Sequence, residues 1–347
     1  MMNDYFCVLP FFGAEYRHQE EFTPCCLLDL SKQTIESVRE EMLKKKRPEA
    51  CKKCWRLEDI GHESDRQIKN KSFDFYSDTD INIIEKNCTE QKFSKKIIKI
   101  YTSNLCNSTC FTCGPTNSTA WNALEKKQIP LTKINKSQLD FDYANITMLS
   151  FVGGEPLYEK TNFEILNELL NHNNNSCFIS FVTNGSVPLT DDQINILSKF
   201  KNLNICLSID GIESRFEYMR FPLQWDNLLS NIKLFQDLGI NISASYTISN
   251  LNLFYYSETV NWFKEQCIPH NHILVSSPLY LNPGNLNEKQ KTKILENNLT
   301  HVNSIKEFLN SGTYSDMLYT QFIQEVQRQD LLKKININDY MPELKIF

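Results

Sequence analysis

The chain has 347 residues, 41% of them hydrophobic and 23% charged, with a net charge of -5. That is a globular composition, long enough for one large domain and a smaller one, and the acidic balance argues against a nucleic-acid partner. No window approaches the roughly 18 apolar residues of a membrane span. The start, MMNDYFCVLPFFGAEY, lacks the basic flank and long apolar core of a secretion signal. No membrane association and a cytoplasmic location are therefore expected, where clustered cysteines bind metal or do chemistry more often than they form disulfides.

The first 92 residues differ from the rest. They carry Cys7, the pair Cys25 and Cys26, and then Cys51 and Cys54. Between the pairs, SKQTIESVREEMLKKK predicts a helix capped by Ser31, with Ile35, Val38, Met42 and Leu43 near one face and lysines at its end. Pro48 stops it.

From about Lys95 a repeating order of apolar strand, polar loop and amphipathic helix sets in. IIKIY precedes a cysteine loop and STAWNALEKK. ITMLSFV ends in GGEP before NFEILNELLN, and CFISFV ends in TNG before DDQINILSKF. LNICLSI ends in DG before QWDNLLSNIKLFQDLG. NISASYTI ends in SNLN before YSETVNWFKEQ, and HILVSS precedes EKQKTKILENN. Six such units predict parallel strands joined by right-handed crossovers. They are too few to close an eight-stranded barrel, which leaves an open partial barrel or a doubly wound sheet. In either, ligands collect at the C-terminal strand ends. The last ~45 residues, 301–347, predict helices and contain no cysteine.

The loop after the first strand, NLCNSTCFTCG, places Cys106, Cys110 and Cys113 at a Cys-x3-Cys-x2-Cys spacing. A closed structural metal site takes four protein ligands; three suggest a metal that keeps one position open. Three thiolates can hold three corners of a [4Fe–4S] cluster and leave the fourth iron to a chelating small molecule such as an amino acid. Gly153-Gly154-Glu155-Pro156, Thr183-Asn184-Gly185, Ser208 with Asp210-Gly211, and Asn250 with Asn252 follow the next four strands. Glycines there let backbone groups approach a ligand closely.

The cysteine spacing, with GGEP, TNG and LSIDG in order on successive strands, resembles the radical S-adenosylmethionine (SAM) superfamily over residues 95–285. The resemblance implies a partial (β/α)6 barrel at 93–300 and a 301–347 helical extension. It also implies SAM and a [4Fe–4S] cluster on Cys106, Cys110 and Cys113. Reductive SAM cleavage would then yield methionine and a 5′-deoxyadenosyl radical that takes hydrogen from substrate. Gly153, Gly154 and Glu155 would handle the SAM amino group, and Thr183, Asn184 and Ser208 the ribose. Arg220 would meet the carboxylate, with Arg215 as runner-up, because a guanidinium fork matches a carboxylate. A departure is Thr112 before the third cysteine, where the family has an aromatic; Phe111 stands one place earlier.

Residues 1–92 look like the auxiliary-cluster module of such proteins, of the short twitch kind or the longer SPASM kind, here ahead of the barrel. Cys7, Cys25, Cys51 and Cys54 would ligate an auxiliary [4Fe–4S] cluster. Cys26 can replace Cys25, and a tetrahedral zinc site suits the same four residues. Glu58, Gly61, Ser64 and Arg66 trail the CxxCW element. The resemblance further implies a peptide or protein substrate, or alternatively a sugar or nucleotide derivative. It implies a low-potential donor such as a flavodoxin or ferredoxin. A non-catalytic zinc or Fe–S protein is the remaining alternative. Cys177, Cys206 and Cys267 are candidate hydrogen donors, should the reaction invert a centre.

Overall fold

A computed structural model describes residues 4–17, 23–59, 61, 63–72, 84–88, 93–275 and 277–344. Its centre is one all-parallel sheet of seven strands in the order β1-β2-β3-β4-β5-β6-β7. The strands are β1 (Gly13–Arg17), β2 (Ile97–Tyr101), β3 (Met148–Val152), β4 (Phe178–Thr183), β5 (Asn202–Ser208), β6 (Asn241–Ile248) and β7 (His270–Leu274). Among the described residues no helix is long and apolar enough to cross a membrane.

Strands β2 to β7 are the six expected from the alternation of apolar runs and helices. The seventh, β1, was not expected. It comes from the cysteine-rich N-terminal segment and pairs in parallel with β2, from Gly13 opposite Ile97 to Arg17 opposite Tyr101. Its sequence, GAEYR, is short and polar, so periodicity could not mark it as a strand. The edge of β2 supplies the hydrogen-bond partners its own pattern does not advertise.

The helices are α1 (Leu9–Phe12), α2 (Ile35–Leu43), α3 (Lys52–Asp59), α4 (Asp65–Ser72), α5 (Thr119–Leu124), α6 (Lys160–Asn171) and α7 (Asp191–Leu197). They continue with α8 (Glu213–Met219), α9 (Trp225–Asp237), α10 (Tyr256–Glu265), α11 (Glu288–Asn297), α12 (Val302–Leu309), α13 (Asp316–Lys333) and α14 (Ile337–Tyr340). The cap of α2 is Thr34, whose hydroxyl accepts from Ser37 N at 3.2 Å. Ser31, the expected cap, instead bonds Asp29. Both are hydroxyl residues ahead of the same apolar face, and Thr34 lies directly before the first helical turn.

Along each strand, alternate residues divide between two faces. In β5, Leu203, Ile205 and Leu207 are buried, whereas Asn204, Cys206 and Ser208 on the other face are only half-buried. The apolar face joins the main core with Phe151, Phe181, Leu166 and Phe235. A second cluster holds Phe6, Val8, Phe11, Val38 and Met42. Ile97 belongs to it and Met148 packs against it, so the N-terminal segment is seated on the N-terminal ends of β2 and β3.

Candidate functional site

The cysteine loop leaves β2, and its backbone groups are held by residues of other segments. Thr109 N donates to Phe221 O at 2.6 Å and Phe111 N to Met219 O at 2.7 Å. Trp121 Nε1 donates to Cys110 O at 2.9 Å, and Gln329 Nε2 to Phe111 O at 3.1 Å. Ser118, the cap of α5, donates to Ser108 O. Ser108 Oγ then stands 3.3 Å from the sulfurs of both Cys106 and Cys110. Burial, reinforced by the neighbouring Cys110, raises the thiols of Cys106 and Cys113, the latter to about 12. Free of metal these thiols stay protonated at neutral pH, so metal binding must release protons.

The glycine pair is stitched to this loop. Gly154 N donates to Ser103 O at 2.8 Å and Glu155 N to Leu105 O at 2.7 Å. Gly153 takes φ +119°, and a Cβ there would stand 2.7 Å from Ser103 O. A Cβ on Gly154 would overlap the Leu105 carbonyl. Glycine is needed at both because two backbones meet without room for a side chain.

Glu155 itself turns away from the cavity. It is 1% exposed and accepts from Thr183 Oγ1 at 2.6 Å, Asn184 N at 2.8 Å and Leu157 N at 3.0 Å. Burial raises its carboxyl, against the pull of these donors. Its geometry makes it a brace that ties the loop after β3 to the loop after β4. Asn184 Nδ2 continues the network to Asn107 Oδ1 at 2.8 Å, inside the cysteine loop. Asn107 and Ser108 were missed in the sequence because nothing distinguishes a spacer residue from its neighbours.

One cavity of about 290 Å³ gathers the expected residues. Cys106, Cys110 and Cys113 form one wall, and Gly153 and Gly154 another. Thr183, Asn184, Ser208 and Arg220 complete it, with Tyr101, Thr112 and Asn117. Arg220 is buried, pairs with Asp210 Oδ2 at 2.7 Å and points Nη1 at Cys110 Sγ, 3.7 Å away. Its Nε is buried without a partner. Arg215, the runner-up, is elsewhere: it pairs with Glu258 at 3.2 Å and lies 4.6 Å over Tyr255. Asp210 and Asn252 are spent on the frame, on Thr247 N and on the Asp210 carbonyl. Phe111 is in the core, stacked on Tyr218 at 5.9 Å, and Thr112 takes the cavity position. A neighbouring cavity of about 340 Å³ shares Gly153 and Gly154 and adds Arg17, Ser103, Asn104 and Thr132.

The N-terminal cysteines also converge. Cys7, Cys25, Cys51 and Cys54 line a small cavity with Leu9, Leu28 and Arg66. Cys26 does not line it; its sulfur lies 3.9 Å from Lys99 Nζ. Of the two neighbours only Cys25 lines the cavity, and its thiol hydrogen-bonds to that of Cys26. Burial raises Cys7, Cys54 and Cys51, the last to about 12. A hydrogen bond from Cys25, with Lys99 nearby, lowers Cys26 to about 6. Arg66 clamps the Cys7 segment to α3. It donates to Phe6 O at 2.6 Å, holds Glu58 at 2.7 Å and lies 4.5 Å over Trp55. Ser64 adds a bond to Glu58. Among the described residues no group of three or more His, Cys, Asp or Glu side chains is gathered so as to hold a single metal ion.

Of the candidate hydrogen donors, Cys206 shares the β5 face that carries Ser208. Cys177 is buried just before β4, at the opposite end of the sheet, and Cys267 is exposed after α10.

Residues 100–263 match the family model of the Radical SAM superfamily. An uncharacterized protein of Methanocaldococcus jannaschii is 24% identical over 171 residues, 48% of this chain and 57% of that protein. Among solved structures, anSMEcpe with bound AdoMet is similar at a TM-score of 0.45 and 20% identity, over 63% of this chain and 60% of that one. SuiB of Streptococcus suis bound to S-adenosylmethionine is similar at 0.43 and 15%, over 82% of this chain and 63% of that one. In each case this chain spans less than two thirds of the other protein.

Proposed function

We propose that this chain, whose residues 100–263 match the family model of the Radical SAM superfamily, is a radical SAM enzyme. One observation carries the reading: three thiols of one loop and the ends of β3, β4 and β5 face a single cavity. The donor set fits the cofactors. Three sulfurs on one wall suit a [4Fe–4S] cluster with an open iron. The close glycine backbone suits an ammonium group, and the unpartnered Arg220 Nε suits a carboxylate. When bound, the cluster supplies the electron that cleaves SAM to methionine and a 5′-deoxyadenosyl radical, which takes a hydrogen atom from substrate.

In this proposal Cys106, Cys110 and Cys113 hold the cluster, and Gly153 and Gly154 receive the SAM amino group. Thr183, Asn184 and Ser208 bind ribose, and Arg220 binds the carboxylate. Glu155 keeps these loops in register. The substrate enters beside Gly153 and Gly154, where the second cavity adds polar wall from Ser103, Asn104 and Thr132. That wall suits the backbone of a peptide or protein, our preferred substrate, to be crosslinked, epimerised or oxidised. A flavodoxin or ferredoxin supplies electrons.

Cys7, Cys25, Cys51 and Cys54 hold an auxiliary [4Fe–4S] cluster. The four cysteines line one small cavity, and the preference for a cluster over a tetrahedral zinc ion rests on the company of the proposed radical SAM core. The division into an auxiliary module at 1–92, a core at 93–300 and an extension at 301–347 belongs to the same proposal.

The test is iron, sulfide and zinc per chain after anaerobic reconstitution, in wild type and in a Cys106/Cys110/Cys113→Ala variant. About eight irons falling to about four is expected for two cubane clusters. About four irons and one zinc in wild type would make the N-terminal site structural. No loss of iron in the variant would overturn the reading. Cys106→Ala alone is expected to abolish 5′-deoxyadenosine formation, followed by chromatography.

A further inference from the structure

Helix α13 ends in a lysine that does not reach solvent. Lys333 is 6% exposed. Its Nζ donates to Gln329 Oε1 at 2.7 Å and lies 4.9 Å from the Trp121 ring, 5.7 Å from Phe111 and 6.0 Å from Phe221. Among the described residues it forms no ion pair within 4 Å, and the nearby carboxylates are engaged elsewhere. Glu325 is held by Arg328, and Asp330 by Tyr218 Oη and Ile337 N. A buried ammonium without a counter-charge is costly.

Each neighbour of Lys333 also grips the cysteine loop. Trp121 holds the Cys110 carbonyl, Gln329 holds the Phe111 carbonyl, and the Phe221 carbonyl accepts from Thr109. Lys333 Nζ thus stands one ring away from the Cys110 backbone, across Trp121. Two other cations stand here and both are already neutralised, Arg220 by Asp210 and Arg328, over the same Trp121 ring, by Glu125 and Glu325. We propose that Lys333 is a positioning residue whose charge raises the reduction potential of a [4Fe–4S] cluster on Cys106, Cys110 and Cys113. This rests on the cluster assignment above. The reduced cluster carries one more negative charge than the oxidised one, so a nearby fixed cation favours it.

The test uses reconstituted full-length protein. Its signal is the reduced-cluster electron paramagnetic resonance that disappears in the Cys106/Cys110/Cys113→Ala variant, titrated against potential. Iron is counted in parallel. Lys333→Met and Lys333→Gln are expected to keep wild-type iron and to shift the midpoint to more negative potential. Lys333→Arg should stay near wild type. Iron-loaded neutral variants with an unshifted midpoint would overturn the inference alone, as would an equal shift in Lys333→Arg. Loss of iron from both neutral variants with full loading of Lys333→Arg supports a charge requirement; loss from all three overturns it. A wild-type signal that survives the triple variant would overturn the cluster assignment and the inference together.

Discussion

Glu155 and Lys333 show how differently two buried charges are used. Glu155 has three donors on its two oxygens and carries the connection between the loops after β3 and β4. Lys333 has one acceptor and an aromatic cage. Burial lowers its ammonium to about 8. Between pH 8 and its ordinary 10.5, the unfolded chain binds more protons than the folded one, so this lysine's cost is full below pH 8 and fades towards 10.5. In metal-free protein Lys333→Met is therefore expected to stabilise at pH 7. A depression of this size bounds the gain at on the order of 3 kcal/mol, less whatever the Gln329 bond and the cage contribute. Denaturant unfolding at pH 7 and pH 10 checks it. The gain should be smaller at pH 10, and smaller again with the cluster present.

At the scale of elements, the site is made by loops clasping one another. The strand ends set a row of anchor points, but the cavity wall exists because the glycine pair docks backbone to backbone on the cysteine loop. Gly154→Ala drives a Cβ into the Leu105 carbonyl, which the two paired loops cannot yield to without breaking a bond. It is expected to cost several kcal/mol (~2–4, the scale of a buried clash) and to lower iron per chain, read by thermal unfolding and metal analysis. The N-terminal site is organised in the same way. Arg66, Glu58 and Ser64 fix α3 and α4 against the Cys7 segment. On the proposed reading of an auxiliary cluster, Cys54→Ala should remove iron from that site alone and leave some SAM cleavage uncoupled from product. Product formation at the wild-type rate in that variant would make the site dispensable to the chemistry.

For the whole molecule, the N-terminal segment and the sheet are not independent. β1 supplies one edge of the sheet, and Ile97 and Met148 close the N-terminal apolar cluster. A chain cut to residues 93–347 would expose the β2 edge and the apolar ends of β2 and β3. It is expected to aggregate or to unfold at lower temperature than the full chain, measured by light scattering and circular dichroism. At the other end, Tyr218 Oη to Asp330, Ser214 to the Tyr340 carbonyl and Gln329 to the Phe111 carbonyl tie the last helices to α8 and to the cysteine loop.

Read residue by residue, β2 to β7 with their helices, the cysteine spacing and the polar strand ends were legible in the sequence. They rest on local periodicity and on residue types whose chemistry is local: thiols, glycines and apolar alternation. Tertiary structure alone decided the rest. It made GAEYR an edge strand, put Cys25 on the cavity wall and Cys26 beside Lys99, and sent Arg215 to Glu258 but Arg220 to the thiols. It brought Lys333 beside a loop more than 200 residues earlier in the chain. Those outcomes depend on which groups meet after the chain is folded, and no short-range pattern records the direction in which a side chain will find its partner.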